Sequence, residues 1–202
     1  SKTTGPVADV SARSAIRDYG QQLKTYCKNI TVDEGFVGRA YENWLSGDAG
    51  HDNNWRVYRE YGSPANLIAE IVRDANTGTL DFGTLKTRPR RDSRKERDIG
   101  VEGVKQQVVG YTIDLALDGL MRAKLGYYQI SRKGMGQFRA APTVQRWMHQ
   151  CTYHAHCDVR KCYDSISCDV VRRILRKYVR DKVVLGMVDA VLASYPDGHL
   201  MI

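Results

Sequence analysis

From Tyr153 to Val159 polar and apolar residues alternate, and Asp158 falls at the end of the run. Tyr153, Ala155, Cys157 and Val159 would share one face of such a strand, and His154, His156 and Asp158 the other. Tyr163 follows five positions after Asp158, and Asp164-Ser165-Ile166 then turns the chain into a basic amphipathic helix. The strand has to deliver a carboxylate to its tip. A carboxylate there is placed to hold a divalent cation, and the backbone amides of the turn can hold a phosphate beside it. This is half of a phosphoryl-transfer site, and no second half is visible in the 202 residues.

Composition bounds the alternatives. The chain is long enough for one good core, or for one domain with a helical extension. No apolar run approaches the roughly 20 residues needed to span a bilayer, and Ser1-Lys2-Thr3-Thr4 opens no signal-peptide core. A net charge of +8 points to a polyanionic partner without naming it. Five cysteines, an odd number, fit a reduced cytoplasmic setting better than a disulfide framework. Cys151, Cys157, Cys162 and Cys168 lie near His149, His154 and His156, but no Cys-x-x-Cys occurs, so the spacing is wrong for zinc. Cys157 reads as core packing and the histidines as a polar surface.

The first eighty residues read as helical. Val10, Ile16, Tyr19, Leu23 and Tyr26 mark a first helix over Val7–Cys27. Thr31-x-x-Glu34 reads as a capping box before a second, with Phe36, Val37, Ala40, Tyr41, Trp44 and Leu45 on one face. Gly47 to Asn54 reads as a polar loop. Ser63-Pro64 offers an N-cap and an N1 proline for a third helix burying Leu67, Ile68, Ile71 and Val72. The aromatics Trp44, Trp55, Tyr58 and Tyr61 could stack on bases, but packing is the simpler use for them.

From Leu80 the texture changes. Strands are expected over 80–86 and 97–101, joined by a polar tip from Arg88 to Arg97 dense in cations, either a phosphate clamp or a solvated loop. Helical pattern returns over Val104–Met121, with Val108, Val109, Ile113, Ala116, Leu117 and Leu120 inward. Ser131-Arg132-Lys133-Gly134-Met135-Gly136 is a loop, either one able to approach a sugar-phosphate backbone or a short surface connection. Pro142 is expected to open a helix carrying Val144, Trp147, Met148 and Cys151. After the turn, Ser167 caps a helix with Val170, Val171, Ile174, Leu175 and Tyr178 on one side and Arg172, Arg173, Arg176, Lys177 and Arg180 on the other. Asp181 starts a further helix to Tyr195.

A basic hairpin, a helix, a Gly-rich basic loop, a helix, and a strand ending in Asp-x-x-x-x-Tyr-Asp-x-Ile together resemble the fingers and first palm segment of reverse transcriptases. The loop Arg132-Lys133-Gly134-Met135-Gly136 is similar to the Arg-Lys-Gly-x-Gly loop of diversity-generating and related bacterial enzymes. The likeness runs from about Thr84 to Tyr195 and does not cover the residues before Leu80. It implies an α+β right-hand polymerase arrangement: an N-terminal helical region (1–79), fingers with a basic β-hairpin (80–150) and a partial palm (151–202).

The resemblance also implies roles. Asp158 would be the first catalytic carboxylate, binding two Mg2+ ions with the Val159 carbonyl as a further ligand. Lys161 and Cys162 would offer amides to the incoming deoxynucleoside triphosphate, and Tyr163 would be the steric gate against a 2′-hydroxyl. Arg97 resembles the fingers arginine that grips the triphosphate, and Arg90 the basic residue earlier on the hairpin. Arg132, Lys133, Gly134 and Gly136 would contact nucleic acid. Asp164 is expected to order the turn through backbone amides. Partners would be an RNA template and a DNA or RNA primer, with no membrane. Gln106-Gln107 stands where relatives often read Asp-Arg, which bears on a local salt bridge or template contact. With one of the required carboxylates present, the 202 residues are expected to be an inactive fragment of the polymerase. Two rivals stay open: a non-catalytic nucleic-acid-binding module with a polymerase-like fold, and a hydrolase using Asp158 and Asp164.

Overall fold

A computed structural model describes residues 26–92, 95–125, 129 and 136–200. The first expected helix, apart from Tyr26 and Cys27, and the loop residues Arg132, Lys133 and Gly134 lie outside the described residues. The described chain is mostly helical with one two-stranded antiparallel sheet, an α+β composition. It divides into two compact units. One holds the described parts of 119–152, the other 26–118 and 153–200. Among the described residues no helix is long and apolar enough to cross a membrane.

The larger unit begins with three helices. Helix α1 (Glu34–Leu45) is capped by Asp33, whose carboxylate accepts the Phe36 N–H at 2.7 Å. The cap therefore sits two residues after the expected Thr31. Val32 before it and Val37 four residues into the helix are both buried, the pair of positions that fixes a helix entry by a hydrophobic staple. Helix α2 (Asp48–Tyr61) occupies most of what the polar composition marked as a loop. It is held from outside its own sequence. Gly50 lies so close to α1 that a Cβ there would stand 2.1 Å from the Trp44 carbonyl oxygen, and the Tyr41 hydroxyl donates to Asn54 Oδ1 at 2.7 Å. Helix α3 (Pro64–Thr77) starts as its signals predict, from the Ser63 cap and N1 proline; it ends at a left-handed Gly78 and buries Leu67, Ile71 and Ala75, with Ile68 and Val72 half-buried.

The hairpin corrects the expected boundaries. Strand β1 (Lys86–Asp92) pairs with β2 (Lys95–Val101), so the basic run forms the strands themselves and not their tip. In a two-stranded sheet both strands are edges, and residues 86–91 of β1 are exposed, so the cations there need no buried partner.

Helix α4 (Val104–Lys124) follows at once and is tied to its neighbours by polar bonds. Lys105 Nζ reaches Glu70 at 2.7 Å and Asp74 at 2.6 Å on α3. Gln107 Oε1 accepts the Trp44 indole N–H at 2.9 Å. The buried Gln106 donates to Ser194 Oγ at 2.9 Å. The Gln106-Gln107 pair is thus structural in this chain: its amides bridge helices.

Helix α6 (Cys168–Tyr178) and helix α7 (Lys182–Ser194) complete this unit, capped by Ser167 and Asp181 as expected. Asp181 also accepts the Ile30 N–H at 2.9 Å, and Cys27 pairs its backbone with Tyr178 and Arg180, so the segment before α1 is stitched to the start of α7. Cys168, Val188 and Leu192 form a cluster against which Ile113, Val171, Leu175, Tyr195 and Leu200 pack. Val170 and Ile174, expected on the packed side of α6, are exposed. Arg172 and Arg176, expected toward solvent, pair with Asp189 of α7 at 3.3 and 3.1 Å.

In the smaller unit, helix α5 (Gln137–Gln150) starts five residues before Pro142, from Gly136 at φ +89. Pro142 is therefore inside the helix. A proline at this position has no N–H to donate to the carbonyl four residues earlier and its ring crowds that carbonyl, a cost the helix carries in its second turn.

Candidate functional site

Residues 151–165 are exposed throughout. The expected strand to Asp158 is absent: 153–159 has no ladder partner among the described residues. Alternation gives a segment two faces, but a strand exists only where a neighbour takes up its N–H and C=O groups. Cys157, expected in the core, is exposed for the same reason, and so are Cys151 and Cys162. His154 and His156 lie at the surface, as the alternating pattern proposed.

The turn beyond Asp158 is well defined. Lys161 has φ +50, an uncommon left-handed backbone for a side-chain-bearing residue. Cys162 follows in the right-handed region at φ −49, ψ −53. Tyr163–Ser165 then forms a single 3-10 turn. A change of hand between neighbours turns successive N–H groups into one concavity, the arrangement that receives anions. Among the described residues no group accepts from the Lys161 or Cys162 amide. The turn is closed by Ser165, whose N–H donates to the Lys161 carbonyl at 3.0 Å and whose hydroxyl donates to the Lys161 and Cys162 carbonyls. The Asp164 carboxylate accepts from no amide among the described residues, so the ordering role expected of it belongs to Ser165. Ile166 accepts the Leu200 N–H at 3.1 Å and Ser167 bridges His199, which anchors the end of the turn.

Asp158 and Val159 reach solvent, and Tyr163 is 51% exposed. An exposed carboxylate with a neighbouring carbonyl suits one edge of a hard cation such as Mg2+. No group of three or more metal-ligating side chains occurs among the described residues.

In the hairpin, Arg90 and Arg97 are direct partners in the antiparallel register. Lys86, Arg88 and Arg90 share one face by alternation, and all three are exposed. Gly136 caps α5 in the other unit. No hydrogen bond or ion pair among the described residues joins the hairpin to the Asp158 turn.

Sequence reading missed a second polar region. Glu102, between β2 and α4, is partly buried, and that burial raises its carboxyl pKa above the usual range. A lone acid at a strand-to-helix junction carries no periodic signal. The exposed Trp55 (57%) and Tyr58 (56%) also depart from the packing expected of them, whereas Trp44 is fully buried. Compared with known proteins, the chain matches no family model and no curated protein.

Proposed function

We propose that these residues are the fingers and first palm segment of an RNA-directed DNA polymerase of the bacterial retroelement type. The observation that carries the reading is the register of Arg90 on Arg97. Like charges directly opposite across an antiparallel pair destabilise it, and an anion held between them removes that repulsion. A triphosphate is such an anion. The left-to-right change of hand at Lys161 and Cys162 supplies a second anion cradle, made of backbone amides, next to Asp158.

In this reading Asp158 and the Val159 carbonyl hold one edge of the magnesium site. Bound Mg2+ would offset charge on the triphosphate and lower the pKa of the primer hydroxyl. The remaining carboxylates would come from outside the described residues, because one carboxylate cannot balance two divalent ions. The reaction joins a primer 3′-oxygen to the α-phosphorus of a deoxynucleotide and breaks its bond to the β-phosphate bridging oxygen, releasing pyrophosphate. Arg90 and Arg97 grip the departing phosphates, and Tyr163 excludes a 2′-hydroxyl by overlap. The Lys86, Arg88 and Arg90 face also suits a non-catalytic module that binds RNA, and triphosphate binding separates the two.

The test is equilibrium binding of Mg2+–dNTP and of a short RNA to the 202-residue chain, with Arg90→Ala and Arg97→Ala. A polymerase segment binds the triphosphate and loses at least about tenfold in affinity with either substitution, the scale of one charge-assisted hydrogen bond. RNA binding without triphosphate binding would leave the module reading. Primer extension by a longer product of the same reading frame, abolished by Asp158→Asn, tests the chemistry itself.

A further inference from the structure

The ring that would act as the gate has no holder of its own. Among the described residues the Tyr163 hydroxyl makes no hydrogen bond and its ring meets no other ring or cation, and Tyr163 is 51% exposed. Its direction is therefore set by the backbone beneath it.

That backbone is unusual at one place. Lys161 has φ +50, a region that a residue with a Cβ keeps only where its surroundings hold it there. Arg160 to Asp164 are all exposed, so core packing does not hold it. Among the described residues the contacts that do all come from Ser165. Its N–H donates to the Lys161 carbonyl at 3.0 Å. Its hydroxyl donates to the Lys161 carbonyl and, at 3.1 Å, to the Cys162 carbonyl. One hydroxyl proton is thus shared between the two carbonyls immediately before Tyr163. Any residue except proline would supply the N–H, but the hydroxyl bonds need Ser or Thr here, and the ionised Asp164 carboxylate has no proton to give a carbonyl. On its other side Ser165 adjoins an anchored segment. The Ile166 N–H donates to the Tyr163 carbonyl at 2.9 Å, and the Ile166 carbonyl accepts from Leu200 at 3.1 Å.

We propose that Ser165 is the positioning residue for the Tyr163 gate: its hydroxyl, acting through the Lys161 and Cys162 carbonyls, sets how strictly the site excludes a 2′-hydroxyl. This rests on the polymerase reading above, and it requires no contact of Ser165 with nucleotide or metal.

Two measurements separate the proposal from that reading. In the 202-residue chain, NMR order parameters report the turn itself. Those of Lys161, Cys162 and Tyr163 should fall in Ser165→Ala and recover in Ser165→Thr. Unchanged values in the alanine variant overturn the proposal and leave the polymerase reading standing. In the longer product of the same reading frame, primer extension gives kcat/KM for a deoxynucleotide and for the matching ribonucleotide. Their ratio should fall about two- to tenfold in Ser165→Ala, the scale of one neutral hydrogen bond, and return in Ser165→Thr. The ratio is blind to a loss of folded enzyme, because unfolded chains use neither nucleotide. Tyr163→Ala sets the scale, since removal of the ring should lower the ratio further. A ratio that Tyr163→Ala lowers and Ser165→Ala leaves unchanged overturns the proposal alone. No extension by the wild-type product, or a ratio indifferent to Tyr163→Ala, overturns the gate reading and the proposal with it.

Discussion

The body around α4 and the exposed reach from Cys151 to Ser165 satisfy their polar groups in opposite ways. In the body, side chains close the account between helices: Lys105 sits between Glu70 and Asp74, Gln107 takes the Trp44 indole, and Gln106 reaches Ser194. In the exposed reach, the hydrogen bonds among the described residues are local, made by Ser165 back to Lys161 and Cys162, and the remaining polar groups are open to solvent. The difference teaches that the well-packed part of this molecule is not the part holding its most informative residues. A site on such a reach gains its geometry from one tight turn and from its anchor at Ile166 and Ser167.

The comparison breaks first at the core. Trp44→Ala removes a fully buried ring and leaves the Gln107 acceptor without its donor, and should destabilise by about 3–5 kcal/mol, read as a lowered denaturation midpoint. A loss under about 1 kcal/mol would mean that α1 and α4 are not packed as described. Next comes Gly50→Ala. Its Cβ would meet backbone atoms of Trp44 and Leu45, which cannot rotate away, so α2 must shift at a cost of about 1–3 kcal/mol.

A smaller effect is expected from pH. The hydrogen bond from Lys105 holds the Asp74 carboxyl below its ordinary range, with Arg73 assisting and burial opposing. Burial pulls Lys105 down, but Asp74 and Glu70 outweigh it and leave its pKa raised. A depressed acid stabilises the fold above its unfolded pKa and loses that contribution as pH falls through the folded value. A raised lysine stabilises below its unfolded pKa and loses the contribution as pH rises through the folded one. Stability should therefore hold between the carboxylate and lysine ranges and fall at both ends, and Lys105→Met should flatten both limbs. Urea denaturation across pH checks this, and unchanged limbs in the variant would remove the triad from the account.

The smallest change in stability belongs to the exposed reach. Asp158→Asn should alter unfolding free energy by less than about 0.5 kcal/mol, because its carboxylate is exposed. A larger loss would mean that Asp158 supports the fold, and would weaken its assignment as a metal ligand.

Much of the helical frame was legible because its signals are local. Ser63-Pro64, Ser167 and Asp181 each act within one turn of their own helix. The failures share a cause. Polar Asp48 to Asn54 is helical because α1 receives it at Gly50, and basic Lys86 to Asp92 is a strand because residues 95–101 pair with it. Alternation at 153–159 produced no strand because no neighbour meets it among the described residues. At the site, the order of residues from Asp158 to Tyr163 could be read directly, but the hand of Lys161 and the role of Ser165 could not.

By itself the sequence determined the caps at Ser63, Ser167 and Asp181, the surplus of cations and the spacing of Asp158, Tyr163 and Ser167. Only the tertiary structure decided that Trp44 is buried while Trp55 is exposed, that Arg90 stands opposite Arg97 in the hairpin register, and that Trp44 of α1 borders one cleft with Tyr111 and Asp114 of α4 and Glu102 before it. Propensity and capping act between residues a few positions apart. Burial and pairing depend on which distant segment arrives, and short-range pattern carries no record of that.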